Sequence, residues 1–343
     1  MNEIPQSLPE NSRVPTGDVV RQCVTGWNAA RDAGGEARRL LHGRGRQYPG
    51  FEQVCVDGFP PLVLVTFFRA PDPVMEAELV EGLRRELAGR GMACLAVQRR
   101  YAEEAGGDSA RLEVVHGELP ALLQATEAGL HYRIEPARGQ NLGFFLDMRN
   151  ARSWLRERAA GRSVLNLFAF TCAFSVAARA GGAGRIVNID LSRSSLTLGR
   201  ENHRLNGQDV DDIHFLDHDV FRSWNKLHKL GRYDLIVMDP PTMQKGSFVA
   251  ERDYGKTVRR FAKLLKAESD VLACLNAPHL GEEFLDEVFA RELPGSMKVA
   301  RLPNPPEFAD IDPQAALKVV HYRYSRPADL PPLPDDAAPS AMN

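Results

Sequence analysis

Long apolar runs are missing from this 343-residue sequence, and no stretch of about 18 apolar residues could cross a bilayer. The amino terminus lacks the basic region and apolar core of a secretory signal. Cysteine is scarce: five residues, widely spaced and without a C-x-x-C pair, disfavour a disulfide framework or a zinc site. Neither sign of charge is in large excess, because 43 basic and 45 acidic residues leave a net charge of −2. We expect a cytoplasmic protein with no membrane span and no metal. Any surface that binds nucleic acid must be a local basic patch, because the overall charge is near neutral.

Composition and hydrophobic period divide the chain into four predicted segments. Residues 1–48 form an arm, partly helical or flexible, whose arginines between 31 and 46 fit either a solvated face or contact with phosphate. Residues 49–135 combine short β-like runs with one helix and a hairpin signal at Asp57-Gly58, which predicts a small α+β domain. Residues 136–326 form the main domain, and the proline-rich residues 327–343 form a disordered tail.

Within the main domain, short apolar runs alternate with longer helical segments. This alternation predicts a Rossmann-like α/β fold, with a largely parallel sheet covered by helices on both faces. The predicted strands are residues 164–168, 185–189, 213–216, 235–238, 270–275, 297–302 and 317–324. Ligands of such sheets bind outside the carboxyl ends of the strands, so the residues that follow each strand are the functional candidates.

Acidic residues follow three successive predicted strands, namely Asp190, Asp219 and Asp239. Each alone could be a helix N-cap, but the three together indicate a ligand site. Asp190 lies 24 residues after Asn166, the interval at which a second-strand acid reaches a ribose held over the first strand. A cofactor that contains a nucleoside is the natural candidate.

The turn after the first strand discriminates between such cofactors. It reads FAFTCAF from Phe168, without any glycine, whereas a dinucleotide site needs G-x-G-x-x-G to bring backbone close to a pyrophosphate. An NAD-dependent oxidoreductase is therefore a disfavoured rival. S-adenosylmethionine carries an adenosine but no phosphate, so it tolerates a bulkier turn. Asp190 suits its ribose, and Asp219 suits its adenine amine.

Five motifs follow one another between residues 142 and 324. They read GFFLDMR from Gly143, LNLFAFT from Leu165, NIDLS from Asn188, ENHRLNG from Glu201 and DLIVMDPPT from Asp234. In this order they resemble the class I S-adenosylmethionine-dependent methyltransferases, in particular the bacterial family that methylates guanine N7 or cytosine C5 of 23S ribosomal RNA. Residues 49–135 resemble the smaller domain that precedes the core in that family, but we find no counterpart of the RNA-binding barrel that some members carry. The resemblance implies an antiparallel last strand, S-adenosylmethionine as cofactor, and 23S ribosomal RNA or a large-subunit precursor as partner.

The same resemblance implies roles for individual residues. Asp147 is similar to the acid near the methionyl ammonium of the cofactor. The other implied cofactor contacts are Asn166, Phe168, Phe170 and Thr171 in the first-strand motif, Asp190 with Leu191 at the ribose, and Asp219 with Val220 at the adenine. Asp239, Pro240 and Pro241 match the motif that faces the substrate base.

The Asp-Pro-Pro sequence has a physical logic of its own. Two prolines fix φ and remove backbone donors, which leaves carbonyls and one carboxylate to receive the N–H groups of a base edge. The alternative is a proline-terminated strand whose aspartate is a turn acceptor. Thr242 and Met243 follow where related sequences have an aromatic residue that stacks on the base, and Phe248 is a candidate substitute.

The acceptor atom decides whether a nucleophile is needed. Guanine N7 has an available lone pair, whereas cytosine C5 reacts only after a thiolate adds at C6. Cys274 is the candidate, because it ends the fifth predicted strand, where some RNA cytosine-C5 enzymes have a cysteine. The alternative is an inert core thiol, since Leu275 and Asn276 replace the serine expected after it.

A basic segment follows the Asp-Pro-Pro loop. Residues 255–267 contain five cations and no acid, and helical spacing would place Arg259, Lys263 and Lys266 on one face. That face fits either solvent or RNA phosphates. The sequence thus predicts a methyltransferase that acts on an RNA base, with guanine N7 or N2 and cytosine C5 as acceptors. A non-catalytic RNA-binding or ribosome-assembly factor on the same fold is the second hypothesis.

Overall fold

The computed structural model describes residues 13–101, 111–137, 141–241, 243–244 and 248–328. The chain divides into two compact units, Met1–Arg149 with Asn304–Ala316, and Asn150–Pro303 with Leu317–Asn343. This division differs from the predicted segments. Residues 1–135 belong to one unit instead of two, and residues 136–149 and 304–316 of the predicted main domain also belong to it. The predicted tail lies outside the described residues from position 329 onward.

A five-stranded sheet with the order β1-β2-β3-β4-β5 forms the first unit, and only β3 and β4 pair in parallel. Two helices pack their apolar sides into the same core as the sheet, and a separate hairpin, β6-β7, follows. The elements are α1 (Thr16–Asp32), β1 (Arg38–His42), β2 (Val54–Phe59), β3 (Leu62–Phe67), α2 (Pro73–Ala88), β4 (Cys94–Arg99), β5 (Arg111–Gly117), β6 (Leu123–Glu127) and β7 (Leu130–Ile134). The predicted arm therefore contributes α1 and β1 to the core, with Trp27 fully buried.

The predicted hairpin is present as β2–β3, but Asp57-Gly58 does not form its turn. Both residues lie inside β2, where Asp57 pairs with Leu64 and Gly58 with Val63, and the chain turns at Pro60-Pro61 instead. Asp57 is buried and accepts a 2.5 Å hydrogen bond from Arg39 Nε across the β1–β2 pair. A buried carboxylate with its own cation is stable within a strand, so the turn propensity of Asp-Gly is overridden.

A seven-stranded sheet with the order β10-β9-β8-β11-β14-β16-β15 forms the second unit. The pairs from β10 to β14 are parallel, and β16 runs antiparallel to both of its neighbours. The elements are α3 (Arg149–Arg158), β8 (Ser163–Leu167), α4 (Ala173–Ala180), β9 (Arg185–Asp190), α5 (Arg193–Leu205), β10 (Ile213–Asp217), α6 (Trp224–Lys229), β11 (Tyr233–Met238), β12 (Met243–Gln244), β13 (Phe248–Val249), α7 (Ala250–Val258), β14 (Leu265–Leu275), α8 (Glu282–Glu292), β15 (Ser296–Leu302) and β16 (Lys318–Ser325). The predicted Rossmann-like fold with an antiparallel last strand is confirmed.

The order of this sheet locates its ligand edge. The chain starts at β8, moves outward through β9 and β10, and then returns to the other side of β8 with β11. In a doubly wound sheet, the crevice for a ligand opens where the strand order reverses, here at the carboxyl ends of β8 and β11. Every residue of β8 is buried, as expected for a central parallel strand. None of the helices in the described part of the chain is both long and apolar enough to span a bilayer.

Candidate functional site

The three predicted aspartates lie along one edge of the second unit's sheet. Asp190 ends β9, Asp219 follows β10 and Asp239 follows β11, and the strands between them pair in parallel register. Three strand spacings, about 14 Å, separate the end of β10 from the end of β11. The carboxylates therefore share an edge long enough for an extended ligand of nucleoside size.

Left-handed backbone marks the glycine-free turn that leaves β8 at this edge. Phe168, Phe170 and Cys172 have φ angles of 57°, 45° and 61°, which glycine adopts readily and other residues rarely do. Each such residue costs on the order of 1–3 kcal/mol, so its surroundings must hold it in place. The backbone of this turn thus has φ angles typical of a glycine-rich loop, although the residues that adopt them carry side chains.

Asp190 is one of the groups that hold this turn. Its Oδ2 accepts a 2.8 Å hydrogen bond from Phe170 N, and its Oδ1 accepts one of the same length from Ser192 N at the start of α5. Burial raises the pKa of the Asp190 carboxyl, and the two backbone N–H donors oppose that rise. Each oxygen keeps a second lone pair, so the carboxylate can also accept from two neighbouring hydroxyl groups.

Helix α5 holds the other side of the turn. Gly199 leaves no room for a side chain, because a Cβ there would lie 2.5 Å from Cys172 Sγ. Three residues later, Asn202 Nδ2 donates a 2.9 Å hydrogen bond to Thr171 O. Asn202 and Thr171 are both buried. Sequence reasoning missed Gly199 and Asn202, although both lie in or next to the ENHRLNG motif.

Beyond β9, the edge offers an apolar and a polar contact side by side. Leu191 directly follows β9 and is 48% exposed. Asp219 caps the short turn after β10 through a 2.8 Å bond from Phe221 N to Oδ1, and Val220 packs in the core behind it. A flat apolar ring with an exocyclic N–H group would find both contacts here. The predicted N-cap role of Asp219 and a ligand role are compatible, because the cap uses one lone pair.

On the other side of β8, Asp239 and Cys274 lie next to each other. Met238 pairs with Ala273 between β11 and β14, so the residues that follow them are about 5 Å apart at this edge. Cys274 is 1% exposed, and its carbonyl accepts a 3.1 Å bond from the Tyr254 hydroxyl. Burial raises the pKa of Tyr254, with Cys274 and Asp239 as further causes. The structure thus brings the predicted thiol and the Asp-Pro-Pro carboxylate together.

Comparison with known proteins agrees with this geometry. The family model described as "S-adenosylmethionine-dependent methyltransferase" matches residues 38–323. The chain belongs to that family.

Two curated relatives and one solved structure resemble the chain over different lengths. "Ribosomal RNA large subunit methyltransferase I" of Serratia proteamaculans is 33% identical over 63% of this chain and 53% of its own length, and the Erwinia tasmaniensis protein of the same name is 32% identical over 64% and 54%. The chain thus spans about half the length of these curated relatives. SMU.776, which was solved in complex with SAH, shares the fold with a TM-score of 0.78 at 23% identity, covering 92% of this chain and 84% of that one.

Phe248 does not occupy the position that was predicted for it. The residue is 1% exposed, and its ring packs edge-on against Phe168 at 5.3 Å and stacks with Phe221 at 6.3 Å between centroids. The ring has no free face for a base, which corrects the predicted stacking role. Burial of a large aromatic side chain against two others explains the position. Thr242, the other predicted contact of this loop, lies outside the described residues.

The predicted basic helix at 255–267 is also wrong. Helix α7 ends at Val258, and β14 begins at Leu265, because Leu264 and Leu265 bury their side chains in the core. The cations therefore do not share one helical face.

Two of the three predicted RNA contacts have acidic partners that are distant in the sequence. Arg259 Nε donates a 2.6 Å bond to Glu292 Oε2, and Lys266 Nζ donates a 2.8 Å bond to Asp234 Oδ2. Lys266 and Asp234 lie at the amino ends of their strands, opposite the carboxyl edge. Lys263 is exposed, with no ion pair among the described residues. Contact of these cations with RNA stays a prediction.

Asp147 belongs to the first unit, in the turn Leu146–Met148. Its predicted contact with the methionyl ammonium stays a prediction. Within the described ranges, no three His, Cys, Asp or Glu side chains cluster in a way that could hold a metal ion.

The close packing of α5 against the turn predicts the effect of one added methyl group. We expect Gly199→Ala to displace Cys172, to destabilise the protein by about 1–3 kcal/mol and to weaken SAH binding. Unfolding in urea and calorimetric titration with SAH measure both effects. Thr197→Ala on the exposed side of the same helix is the control. The double variant Gly199→Ala/Cys172→Gly removes the clashing atoms and should recover binding; no recovery, or an unaffected single variant, would contradict this packing.

Proposed function

We propose that this protein is an S-adenosylmethionine-dependent methyltransferase that acts on a base of RNA, with ribosomal RNA of the large subunit as its substrate. The observation that carries the proposal is the shared edge, on which Asp219, Asp190, the glycine-free turn and Asp239 follow one another across four adjacent strands. Membership of the methyltransferase family and the names of the curated relatives support it. The cytoplasmic location expected from the sequence stays a prediction.

The order of the residues along the edge supports a partner for each part of the cofactor's adenosine. Asp219 and Leu191 lie beyond β9 and suit an adenine ring, and Asp190 suits the ribose hydroxyls. The bound cofactor supplies an electrophilic methyl group on a sulfonium. The turn at Phe168–Thr171 then lies between the ribose site and Asp239, so the chain orients the methyl group toward a base at the Asp-Pro-Pro motif. Alignment of this kind contributes up to about 7–11 kcal/mol to a displacement reaction.

Among the acceptor atoms left open by the sequence, the position of Cys274 favours cytosine C5. A thiolate at this point can add to C6 of a base whose N–H edge is held by Asp239. The C5 carbon then takes the methyl group, and loss of the C5 proton expels the thiolate. Cys172 is unsuited to this role because of its position: it packs against Gly199 of α5, whereas Cys274 lies beside Asp239.

The cofactor half of the proposal predicts a selective loss of affinity. We expect Asp190→Asn to weaken SAH binding at least tenfold, about 1.4 kcal/mol, because an amide cannot accept both backbone bonds and also receive the ribose hydroxyls. Asp217→Asn is the matched control: Asp217 pairs in register with Asp190 but is exposed. Isothermal titration calorimetry decides the matter. Unchanged affinity in Asp190→Asn, or no binding of SAH to the wild type, counts against the proposal.

Transfer of labelled methyl groups tests the catalytic half. Large-subunit RNA from cells that lack the protein should accept label at cytosine C5 with the wild type. We expect Cys274→Ala to lower the rate at least a thousandfold and Cys172→Ala to retain cofactor binding and most of the activity. Full activity of Cys274→Ala, or label on guanine, would exclude the thiolate route. No label with any RNA would favour the non-catalytic RNA-binding factor instead.

A further inference from the structure

The ENHRLNG motif of helix α5 contains a buried polar pair that the proposed chemistry does not use. Asn202 and His203 are both fully buried, although each carries hydrogen-bonding groups that are costly to bury without partners. Asn202 supports the turn through Thr171 O, as described above. His203 faces a different set of side chains, which leads back to β8.

A continuous hydrogen-bond chain connects His203 with Asn166. Asn166 Nδ2 donates to Asn188 Oδ1 at 3.0 Å, and Asn188 Nδ2 donates to Ser175 Oγ at 3.0 Å. Ser175 Oγ lies 2.8 Å from His203 Nε2, and His203 Nδ1 lies 2.6 Å from Gln208 Oε1. Asn166, Asn188, Ser175 and His203 are all buried. These hydrogen bonds thus connect β8, β9, α4 and α5 beneath the ligand edge.

The direction of this chain is determined at its far end. Gln208 Nε2 donates a 3.0 Å bond to Val176 O, which turns the amide so that Oε1 faces His203. Because Oε1 can only accept, His203 must carry its proton on Nδ1. Nε2 is then an acceptor, and Ser175 must donate to it. Ser175 Oγ can in turn accept from Asn188, so every bond runs from Asn166 toward Gln208.

The imidazole is held neutral, as this direction requires. Burial lowers the pKa of His203 to about 4, with Arg179 as a further cause and Gln208 opposing it. At neutral pH the ring therefore has one donor and one acceptor nitrogen. A doubly protonated ring would leave Ser175 without an acceptor and would remove the fixed direction.

At its Asn166 end, the hydrogen-bond chain leaves one acceptor for a ligand. Because Asn166 Nδ2 donates to Asn188, the Asn166 amide has a fixed orientation. Its Oδ1 is buried and has no hydrogen-bond partner among the described residues. A buried acceptor without a partner is unfavourable, and a donor on a bound molecule would remove that cost. Asn166 lies one residue before the end of β8, at the edge where Asp190 and Asp239 also lie.

We propose that His203 is a positioning residue that, through Ser175 and Asn188, turns the Asn166 carbonyl oxygen toward the bound cofactor, where it accepts a hydrogen bond from an ammonium or hydroxyl group. This inference rests on the proposed binding of S-adenosylmethionine. It assigns to the ENHRLNG motif the task of fixing both the turn and the amide of the first-strand motif.

The protonation site of His203 tests the direction without any ligand or activity. Nitrogen-15 NMR of the full-length wild type, with the His203 signal identified by its loss in His203→Gln, should show the proton on Nδ1. A proton on Nε2 would reverse the bond to Ser175 and overturn the proposal. A doubly protonated ring at pH 7 would also overturn it.

A double-mutant cycle on SAH affinity tests the action through Asn166. His203→Phe keeps the ring volume and removes both nitrogens, and we expect it to weaken SAH binding about 3- to 10-fold. In the Asn166→Ala background the same substitution should change the affinity less than twofold. His203→Gln, which keeps one acceptor and one donor, should recover most of the loss. Equal losses in both backgrounds would mean that His203 acts only through packing. If His203→Phe does not fold, Gln208→Leu takes its place in the cycle.

The identity of the donor follows from a second probe. 5′-Methylthioadenosine has the ribose hydroxyls of SAH but no ammonium group. If the donor is the ammonium, the His203→Phe loss disappears with this ligand; if it is a hydroxyl, the loss persists. If the wild type binds neither ligand, the proposed function itself is refuted. If the wild type binds SAH but the effects of His203→Phe and Asn166→Ala on its affinity are additive, only this inference is refuted.

Discussion

The paired bonds from Phe170 N and Ser192 N to the Asp190 carboxylate are the constraint on which the site depends. They join the end of β9 to a turn whose backbone is left-handed at three residues that are not glycine. Without such neighbours the turn would relax, since each of these residues is strained. One carboxylate thus shapes the turn and also offers its remaining lone pairs to a ligand.

Other side chains along this edge also have a structural role. Asp219 caps a short helical turn and remains half-exposed. Asn202 donates to Thr171 O and so holds the left-handed turn, which a glycine-rich turn could adopt without strain. The turn has phenylalanines where a pyrophosphate site needs glycines, which agrees with a phosphate-free nucleoside as ligand. On the far side of β8, Asp239 and Cys274 come together because Met238 and Ala273, the residues before them, pair in parallel register. The turn, the carboxylates and the thiol are thus all positioned by one sheet.

Much of this arrangement could be predicted from the sequence, because strand ends in a parallel sheet are fixed by local periodicity. The positions of Asp190, Asp219 and Asp239 at the sheet edge could be predicted from the strand assignments alone. The errors came from long-range contacts: Asp57 has its cation on another strand, and Arg259 has its acid 33 residues away. Phe248 could not be placed, since its burial depends on Phe168 and Phe221 rather than on its own neighbours. The direction of the His203 chain needed an atomic structure, because it follows from one glutamine amide.

A crystal structure of the protein with bound SAH would test the central claim most directly. The account predicts that the ribose hydroxyls meet Asp190 and that the adenine lies beside Leu191 and Asp219, while Phe168, Phe170 and Cys172 keep positive φ angles. A ligand bound away from the carboxyl edge of β8 and β9, or a turn that loses its left-handed residues when SAH binds, would contradict it.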